Sequence, residues 1–181
     1  MGNKPTVIKG KIWFVQDKDG HLIHNIDTDM IFHNAHLAIT DIAKMGPHAF
    51  GNLPGWEDFP KKAAKGDILV LGKNFGAGSS RQQAVDCFIA LGVQCLIADS
   101  FGAIYKRNAI NTGLPLICRE GWAEHKDFLA FRDGDIVEVD LEKNIVKNLT
   151  KNTSLEAEPF SKVQMDIYQN GGLHQYGKTL K

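Results

Sequence analysis

The sequence lacks paired cysteines, long apolar runs and net charge. Its three cysteines, Cys87, Cys95 and Cys118, include no Cys-x-x-Cys spacing, which argues against an iron–sulfur cluster held by this chain. We expect this chain to bind no cofactor itself. Unpaired cysteines in apolar surroundings predict buried thiols and a cytoplasmic protein. No apolar run is long enough to span a bilayer, and the polar residues 1–5 are typical of neither a signal peptide nor an anchor. We therefore expect no membrane partner.

The charges are balanced, since 21 Lys and Arg residues are matched by 21 Asp and Glu residues. A chain without net charge creates no general field that attracts nucleic acid, so we expect no nucleic-acid partner. The composition, with 43% hydrophobic and 23% charged residues, is that of a folded globular protein. A length of 181 residues suits one core, and we predict a single domain over residues 1–181.

From residue 67 onwards, short apolar runs alternate with helical stretches. This alternation predicts βαβ units around a parallel sheet, and so an α/β fold. The runs predicted as strands are residues 7–15, 67–71, 93–98 and 114–118, and those predicted as helices are residues 84–91 and 100–108.

The remaining parts of the chain follow other patterns. Residues 135–140 and 144–149 predict a β-hairpin, and residues 161–170 predict a helix closed by two glycines. Residues 33–65, the connecting segment, are interrupted repeatedly by Gly and Pro, with Thr40 as the predicted cap of one short helix. A long irregular stretch of this kind is typical of a functional loop or a mobile flap.

Residues 72–81, the glycine turn, read GKNFGAGSSR and lie between a predicted strand and a predicted helix. Their three glycines permit a tight turn that β-carbons would obstruct. Two hydroxyls and the guanidinium of Arg81 then fall near the helix start, where unpaired N–H groups and the helix dipole favour an anion. The pattern indicates a carboxylate or phosphate site. The plainer interpretation is a turn followed by a serine that caps the helix.

Three kinds of chemistry fit this turn. Ser79 could be a nucleophile with a histidine base, and the chain has seven histidines, but the turn is not a G-x-S-x-G elbow. Alternatively, Ser79 could act as an alkoxide, stabilised by N–H groups and Arg81, that removes a proton next to a carboxylate. Phosphate binding is the third, although the Lys-Ser/Thr of a P-loop is missing.

The glycine turn resembles a known family when it is combined with two other motifs. Residues 25–29, the Asp-Thr-Asp segment (NIDTD), precede it, and residues 100–108 (SFGAIYKRN) follow it. Together these motifs resemble the small subunit of 3-isopropylmalate dehydratase, which is similar to the mobile C-terminal domain of aconitase. The resemblance extends over roughly residues 8–176 and implies a swivelling β/β/α domain.

The resemblance also implies an activity and a partner. The small subunit of a hydro-lyase closes over a large subunit that carries a [4Fe-4S] cluster, and together they dehydrate and rehydrate a small hydroxy-carboxylic acid. Ser79 matches the catalytic base, Arg81 the arginine that holds a substrate carboxylate, and Asp29 a residue that supports a catalytic histidine or the substrate pocket. The remaining substrate-binding positions that we infer near this turn are Ser80, Gly78 and Asn74, the last mainly as a residue that fixes the turn.

Two departures from the family pattern bear on the substrate. Gln82 stands where a glutamate is common, and residues 36–40 lack the tyrosine and arginine usual in isopropylmalate enzymes. In the family this loop contacts the variable group of the substrate, so Leu37, Ala38 and Ile39 are candidate specificity residues. A 3-isopropylmalate dehydratase of leucine biosynthesis is the first prediction. Homoaconitate, 2,3-dimethylmalate and methylmalate remain open, as do a stand-alone carboxylate-binding module and, more weakly, a serine hydrolase.

Overall fold

A computed structural model describes residues 4–122 and 130–180. Its described strands form a seven-stranded sheet in the order β4-β3-β2-β1-β5-β6-β7. The strands β1 to β4 run parallel, whereas β5, β6 and β7 add to β1 as an antiparallel meander. The strands are β1 Val7–Phe14, β2 Ile68–Leu71, β3 Cys95–Ala98, β4 Leu116–Cys118, β5 Ile136–Asp140, β6 Ile145–Asn148 and β7 Thr153–Glu156.

The helices are short. They are α1 Thr28–Ile31, α2 Phe59–Lys62, α3 Gln83–Leu91, α4 Ala103–Thr112, α5 Lys162–Gln169 and α6 Leu173–Thr179, with 3-10 turns at Asn34–His36, Ile42–Lys44 and Gly46–His48. The start of α5 is fixed by a capping box, in which Ser161 and Gln164 exchange hydrogen bonds of 3.2 and 3.0 Å. Within the described residues, no helix has the length and apolar character that crossing a bilayer requires.

The predicted α/β fold, its parallel sheet and its hairpin are confirmed, but four elements were missed and one was misplaced. Strand β7 and helices α1, α2 and α6 have no counterpart in the sequence-based prediction. The helix predicted at residues 100–108 begins three residues later, at Ala103, because residues 100–102 pair with the glycine turn instead. Phe75 N donates to Ser100 O at 3.0 Å, and Gly102 N donates to Phe75 O at 2.8 Å.

The central strands are buried on both faces, which explains their continuous apolar sequences. Alternate side chains enter two separate cores. Leu69 and Leu96 join the core on the α3 side, whereas Val70 and Ile97 join the core that contains Tyr168 of α5. This burial holds the sheet rigid, and the glycine turn leaves its edge directly after β2.

The connecting segment does not form an open loop. Met45, Phe50, Leu53 and Phe59 are at most 3% exposed and lie in the core beside α3. The prediction that Thr40 caps a short helix was wrong, because the Asp41 carboxylate accepts from Ala43 N at 3.1 Å and the element is a 3-10 turn. The segment is irregular because it is built from turns, and it is nonetheless anchored to the core by these four buried side chains.

Candidate active site

The Asp-Thr-Asp segment lies alongside the glycine turn, although about 50 residues separate them in the sequence. Gly76 N donates to Ile26 O at 2.8 Å, and Thr28 N donates to Ala77 O at 2.9 Å. Asn25 N adds a third backbone hydrogen bond, to Lys73 O at 2.8 Å. Two of the motifs identified in the sequence therefore form one backbone-bonded unit at the carboxyl edge of the parallel strands, where α/β proteins bind ligands.

Left-handed backbone conformations shape the glycine turn. Gly76 has φ +76° and packs so closely on Tyr105 that an added β-carbon would overlap the ring. Asn74 has φ +54°, its N–H donates to Ser100 Oγ at 2.8 Å, and its side-chain amide donates to Asn25 Oδ1 at 3.0 Å. Asn74 thus holds the turn with both its backbone and its side chain.

Ser79 lies exposed at the end of the turn. Its hydroxyl is 3.3 Å from the hydroxyl of Thr28, which also donates to Ser79 O at 3.1 Å. Among the residues that the structure describes, no histidine is hydrogen-bonded to Ser79, so the base that a serine hydrolase needs is not assembled there. His125 lies outside the described residues.

Neither serine caps the following helix. Helix α3 begins after Gln82 without a side-chain cap, so the plain capping interpretation was wrong. Ser80 is exposed, and its hydroxyl accepts from the side-chain amide of Asn108 on α4 at 3.4 Å. Gly78, also exposed, has φ +91° and directly precedes the two exposed serines.

Arg81 and Asp29 form an ion pair in which Nη1 is 2.5 Å from Oδ1, with side chains 18% and 33% exposed. The same Nη1 donates to Phe32 O at 3.2 Å, and Asn34 N donates to Asp29 Oδ1 at 3.1 Å. The hydrogen bond from Arg81 is the largest cause that holds the pKa of Asp29 below its usual range, although desolvation opposes it. Asp29 is therefore a carboxylate at neutral pH.

The second oxygen of the Asp29 carboxylate is held from the connecting segment. The side-chain amide of Asn52 donates to Asp29 Oδ2 at 3.0 Å. The ion pair uses one nitrogen of Arg81, and within the described ranges its Nε and Nη2 groups donate no hydrogen bond. Because a guanidinium carries five N–H groups, Arg81 retains donors for a bound carboxylate while Asp29 keeps it in place.

The candidate specificity loop lies next to the start of α3. Gln83 Nε2 donates to Leu37 O at 3.4 Å, which ties the loop to the first turn of that helix. Leu37 and Ala38 are exposed, whereas Ile39 packs against the core. Two of the three predicted specificity residues therefore offer apolar surface to solvent, and the third supports the loop from below.

Histidines stabilise the same loop. His36 stacks on His48 with ring centroids 3.9 Å apart, and burial together with the charge of His36 lowers the pKa of His48. His33 Nδ1 accepts from Ala35 N at 3.2 Å and so caps the 3-10 turn that leads into the loop. These contacts give the loop a defined shape, although Leu37 and Ala38 at its centre are exposed.

Gln82, the departure from the family pattern, has a local role. Its side-chain amide donates to Asp86 Oδ1 at 2.8 Å, and Asp86 is only 6% exposed. Burial raises the pKa of Asp86, while the hydrogen bond from Gln82 opposes that effect. A glutamate at residue 82 would place a second carboxylate against the first, so in this chain the amide stabilises α3.

The cysteines do not form a set of metal ligands. Cys87 and Cys95 are fully buried, and burial raises the pKa of both thiols. Cys118 is partly exposed, and its pKa is raised to about 11, chiefly by desolvation. Within residues 4–122 and 130–180, no group of three or more His, Cys, Asp or Glu side chains could hold a metal ion.

Sequence reasoning missed three residues that shape this site: Thr28, Asn52 and Gln83. Thr28 lies inside a recognised motif, so its proximity to Ser79 could have been suspected. Asn52 carries no signal, because it lies in the irregular connecting segment and contacts Asp29 from 23 residues away. Gln83 lies one residue before the helix predicted at residues 84–91, and its partner is a backbone carbonyl that no pattern marks.

A mixed sheet with a serine–arginine turn at its carboxyl edge defines the class of this protein. The family model for the aconitase C-terminal domain matches residues 24–120, which include both the Asp-Thr-Asp segment and the glycine turn. The chain belongs to the aconitase C-terminal domain family.

Within that family, similar proteins are named as small subunits of 3-isopropylmalate dehydratase or of an isopropylmalate/citramalate isomerase. The chain is 45% identical to the 3-isopropylmalate dehydratase small subunit of Caldicellulosiruptor saccharolyticus, over 85% of each chain. It is 40% identical to the isopropylmalate/citramalate isomerase small subunit of Methanocaldococcus jannaschii, over 96% of this chain and 95% of the relative. A crystal structure of 3-isopropylmalate dehydratase from M. jannaschii superposes with a TM-score of 0.81 at 36% identity and covers 96% of this chain and 95% of that one.

Proposed function

We propose that this chain is the small subunit of a hydro-lyase that dehydrates and rehydrates a hydroxy-dicarboxylic acid of the 3-isopropylmalate type, a reaction of leucine biosynthesis. The observation that carries the proposal is the exposed Ser79 hydroxyl on the same turn as Arg81, whose partner is Asp29. Relatives at 40–45% identity carry that activity in their names. We place the protein in the cytoplasm as a single domain.

In this proposal Ser79 moves the proton at the carbon next to the leaving hydroxyl. The serine must then act as an alkoxide, which needs donors and positive charge close by. Arg81 supplies the charge, and the hydroxyl of Thr28 at 3.3 Å supplies a donor. Exposure of Ser79 leaves its oxygen open to a substrate that is bound between two subunits.

Arg81 holds a substrate carboxylate, and Asp29 holds Arg81. Two parallel N–H groups of a guanidinium fix a carboxylate in one plane, which orients the reacting carbons for an anti elimination. Asp29 keeps the guanidinium from turning because it accepts from Nη1 at 2.5 Å. Gly78, Ser80 and Asn74 shape the turn around the bound acid.

The partner in this proposal is a large subunit that bears a [4Fe-4S] cluster; in the part of this chain that the structure describes, no group of three or more His, Cys, Asp or Glu side chains could hold a metal ion. Such a cluster supplies a Lewis acid for the hydroxyl and a carboxylate of the substrate. The residues of this chain contribute the base and the carboxylate clamp. The relatives are also named as small subunits, which supports a two-subunit enzyme.

A second group of substrates is favoured by the loop at residues 36–40. Leu37 and Ala38 are exposed and apolar, and residues 34–43 contain no lysine or arginine. The M. jannaschii relative is named for both isopropylmalate and citramalate, whose variable groups differ in size. Small branched malates such as 2,3-dimethylmalate or methylmalate are therefore the alternative, followed by homoaconitate.

The test is activity of the complex with the large subunit from the same organism, read as ultraviolet absorbance of the unsaturated acid. We expect Ser79→Ala to lower kcat by about 10²–10⁴-fold, the usual contribution of a positioned proton-transfer group. Ser154→Ala on β7 is the matched control and should leave kcat unchanged. Wild-type turnover by Ser79→Ala in an intact complex would exclude the proposed base.

Two further measurements separate the alternatives. A panel of 3-isopropylmalate, 2,3-dimethylmalate, methylmalate and homoaconitate, compared by kcat/KM, identifies the substrate. Calorimetry of the isolated chain with the same acids tests the stand-alone binding module. Tight binding without the large subunit, combined with no turnover in its presence, would favour the module over the enzyme.

A further inference from the structure

Among the described residues, Thr28 is hydrogen-bonded to both the hydroxyl and the backbone carbonyl of Ser79. It is the first residue of α1 and only 2% exposed, so water does not compete for its hydroxyl. That hydroxyl donates to Ser79 O at 3.1 Å and lies 3.3 Å from Ser79 Oγ, where either oxygen can be the donor. One buried hydroxyl therefore contacts both the backbone and the side chain of the same serine.

A threonine hydroxyl has one proton and two acceptor lone pairs. When Ser79 is neutral, Thr28 can donate to Ser79 O and accept from the serine hydroxyl. When Ser79 is an alkoxide, rotation about the Cβ–Oγ1 bond of Thr28 points the hydroxyl proton at the charged oxygen. The contact can therefore serve both protonation states, and it favours the charged one because hydrogen bonds to ions are stronger.

The position of Thr28 is fixed from both sides. Its N–H donates to Ala77 O at 2.9 Å, and the Asp27 carboxylate caps α1 by accepting from Asp29 N and Met30 N at 2.8 Å each. The charged groups on the two segments that meet here are Asp27, Asp29, Lys73 and Arg81. Among the described residues, the carboxylates of Asp27 and Asp29 accept from N–H groups, and neither is hydrogen-bonded to Ser79.

We infer that Thr28 is a positioning residue that holds the Ser79 oxygen and stabilises its deprotonated form by donating a hydrogen bond. This inference rests on the proposed function of Ser79. In the dehydration, the substrate carbon loses its proton to the Ser79 alkoxide, the C–H electron pair forms the double bond as the hydroxyl leaves the neighbouring carbon, and the proton of Thr28 turns back to Ser79 O. In the rehydration, Ser79 Oγ returns the proton to carbon, which regenerates the alkoxide. Nothing is transferred to Thr28, which changes only its acceptor.

The experiment compares Thr28→Val, Thr28→Ser and wild type in the complete two-subunit enzyme over a range of pH. We expect Thr28→Val to lower kcat by roughly tenfold, equivalent to loss of one hydrogen bond to a charged group. The pH at half-maximal kcat should rise, because the alkoxide forms less readily without its donor. Thr28→Ser keeps the hydroxyl and should restore both kcat and the pH profile.

Thr153→Val is the matched control, because its hydroxyl lies buried on β7 without a hydrogen-bond partner. If Thr28→Val does not fold, Thr28→Ala and Thr28→Ser replace it, since both lack the methyl and they differ only in the hydroxyl. A lower kcat with an unchanged pH profile, or no rescue by serine, would overturn the inference. If the proposed role of Ser79 itself is wrong, the result differs: Ser79→Ala would keep the kcat of the wild type.

Discussion

The glycine turn and the connecting segment both support the Arg81–Asp29 pair, but they do so by different means. Backbone hydrogen bonds join the turn to the Asp-Thr-Asp segment, and they require glycines and a left-handed asparagine. The connecting segment acts through single side chains, above all the amide of Asn52 on Asp29. Backbone geometry leaves a signature in the sequence, whereas one side-chain amide does not. Backbone hydrogen bonds of the glycine turn therefore position the Arg81–Asp29 pair, whereas a side chain of the connecting segment orients the Asp29 carboxylate.

The largest effect is expected from a β-carbon in the glycine turn. Gly76→Ala would force a left-handed residue into the Tyr105 ring and should lower the free energy of unfolding by roughly 2–5 kcal/mol. In the connecting segment, Gly55 has φ +85° and open space around it, so Gly55→Ala should cost only about 1 kcal/mol. Urea unfolding of both variants provides the measurement.

The pair of glycine variants isolates steric overlap, because both glycines have positive φ. Equal losses would mean that left-handed strain alone accounts for the effect and that close packing on Tyr105 does not fix the turn. A larger loss for Gly55→Ala would reverse the comparison between the two regions.

The sequence allowed prediction of the strands, the turn and the residues that lie at it, for physical reasons. Buried parallel strands need continuous apolar runs, and a tight turn needs glycine, so both are visible in one sequence. The connecting segment could not be predicted, because its 3-10 turns follow no hydrophobic period. Strand β7 was missed because it is short and only one of its residues, Leu155, is buried. Helix α6 has no buried residue and no side-chain cap to mark it.

The sequence predicted only those site residues that lie in the glycine turn and the Asp-Thr-Asp segment. Ser79, Arg81 and Asp29 belong to two motifs, and these motifs pair through their main chains. Their roles in catalysis remain predictions that the variants here address. The partners of the pair, such as Asn52, depend on the fold of the connecting segment, which propensity and periodicity do not describe.

The next effect concerns the ion pair. Asp29→Asn removes the charge that holds Arg81, and we expect kcat/KM of the complex to fall roughly ten- to a hundredfold, the value of a hydrogen bond to a charged group. Stability should also depend on pH. Because Arg81 lowers the folded-state pKa of Asp29, its stabilisation is present above the unfolded value of about 3.9 and is lost as pH falls through the folded value. The difference in unfolding free energy between wild type and Asp29→Asn should therefore shrink below about pH 4.

Asp58→Asn is the control for this variant. Asp58 accepts from Lys61 at 2.7 Å, and that hydrogen bond likewise lowers its pKa, but it lies in the connecting segment on an exposed surface. It should show the same sign of pH dependence without a kinetic effect. A kinetic loss in both variants would indicate that general surface charge, and not the guanidinium clamp, governs activity.

The smallest effect is expected from the connecting segment, and it tests whether Asn52 orients the Asp29 carboxylate that holds Arg81. Asn52→Ala removes one neutral donor from Asp29 Oδ2, and since Asn52 is exposed, the free energy of unfolding should hardly change. We expect KM to rise by roughly two- to tenfold, the value of one such hydrogen bond, with kcat nearly unchanged because Ser79 is untouched. Asn111→Ala, another exposed asparagine, on α4, is the control. An unchanged KM for Asn52→Ala would show that the backbone-bonded unit orients Asp29 without help, and a lower kcat at constant KM would show that Asn52 acts on the proton transfer instead.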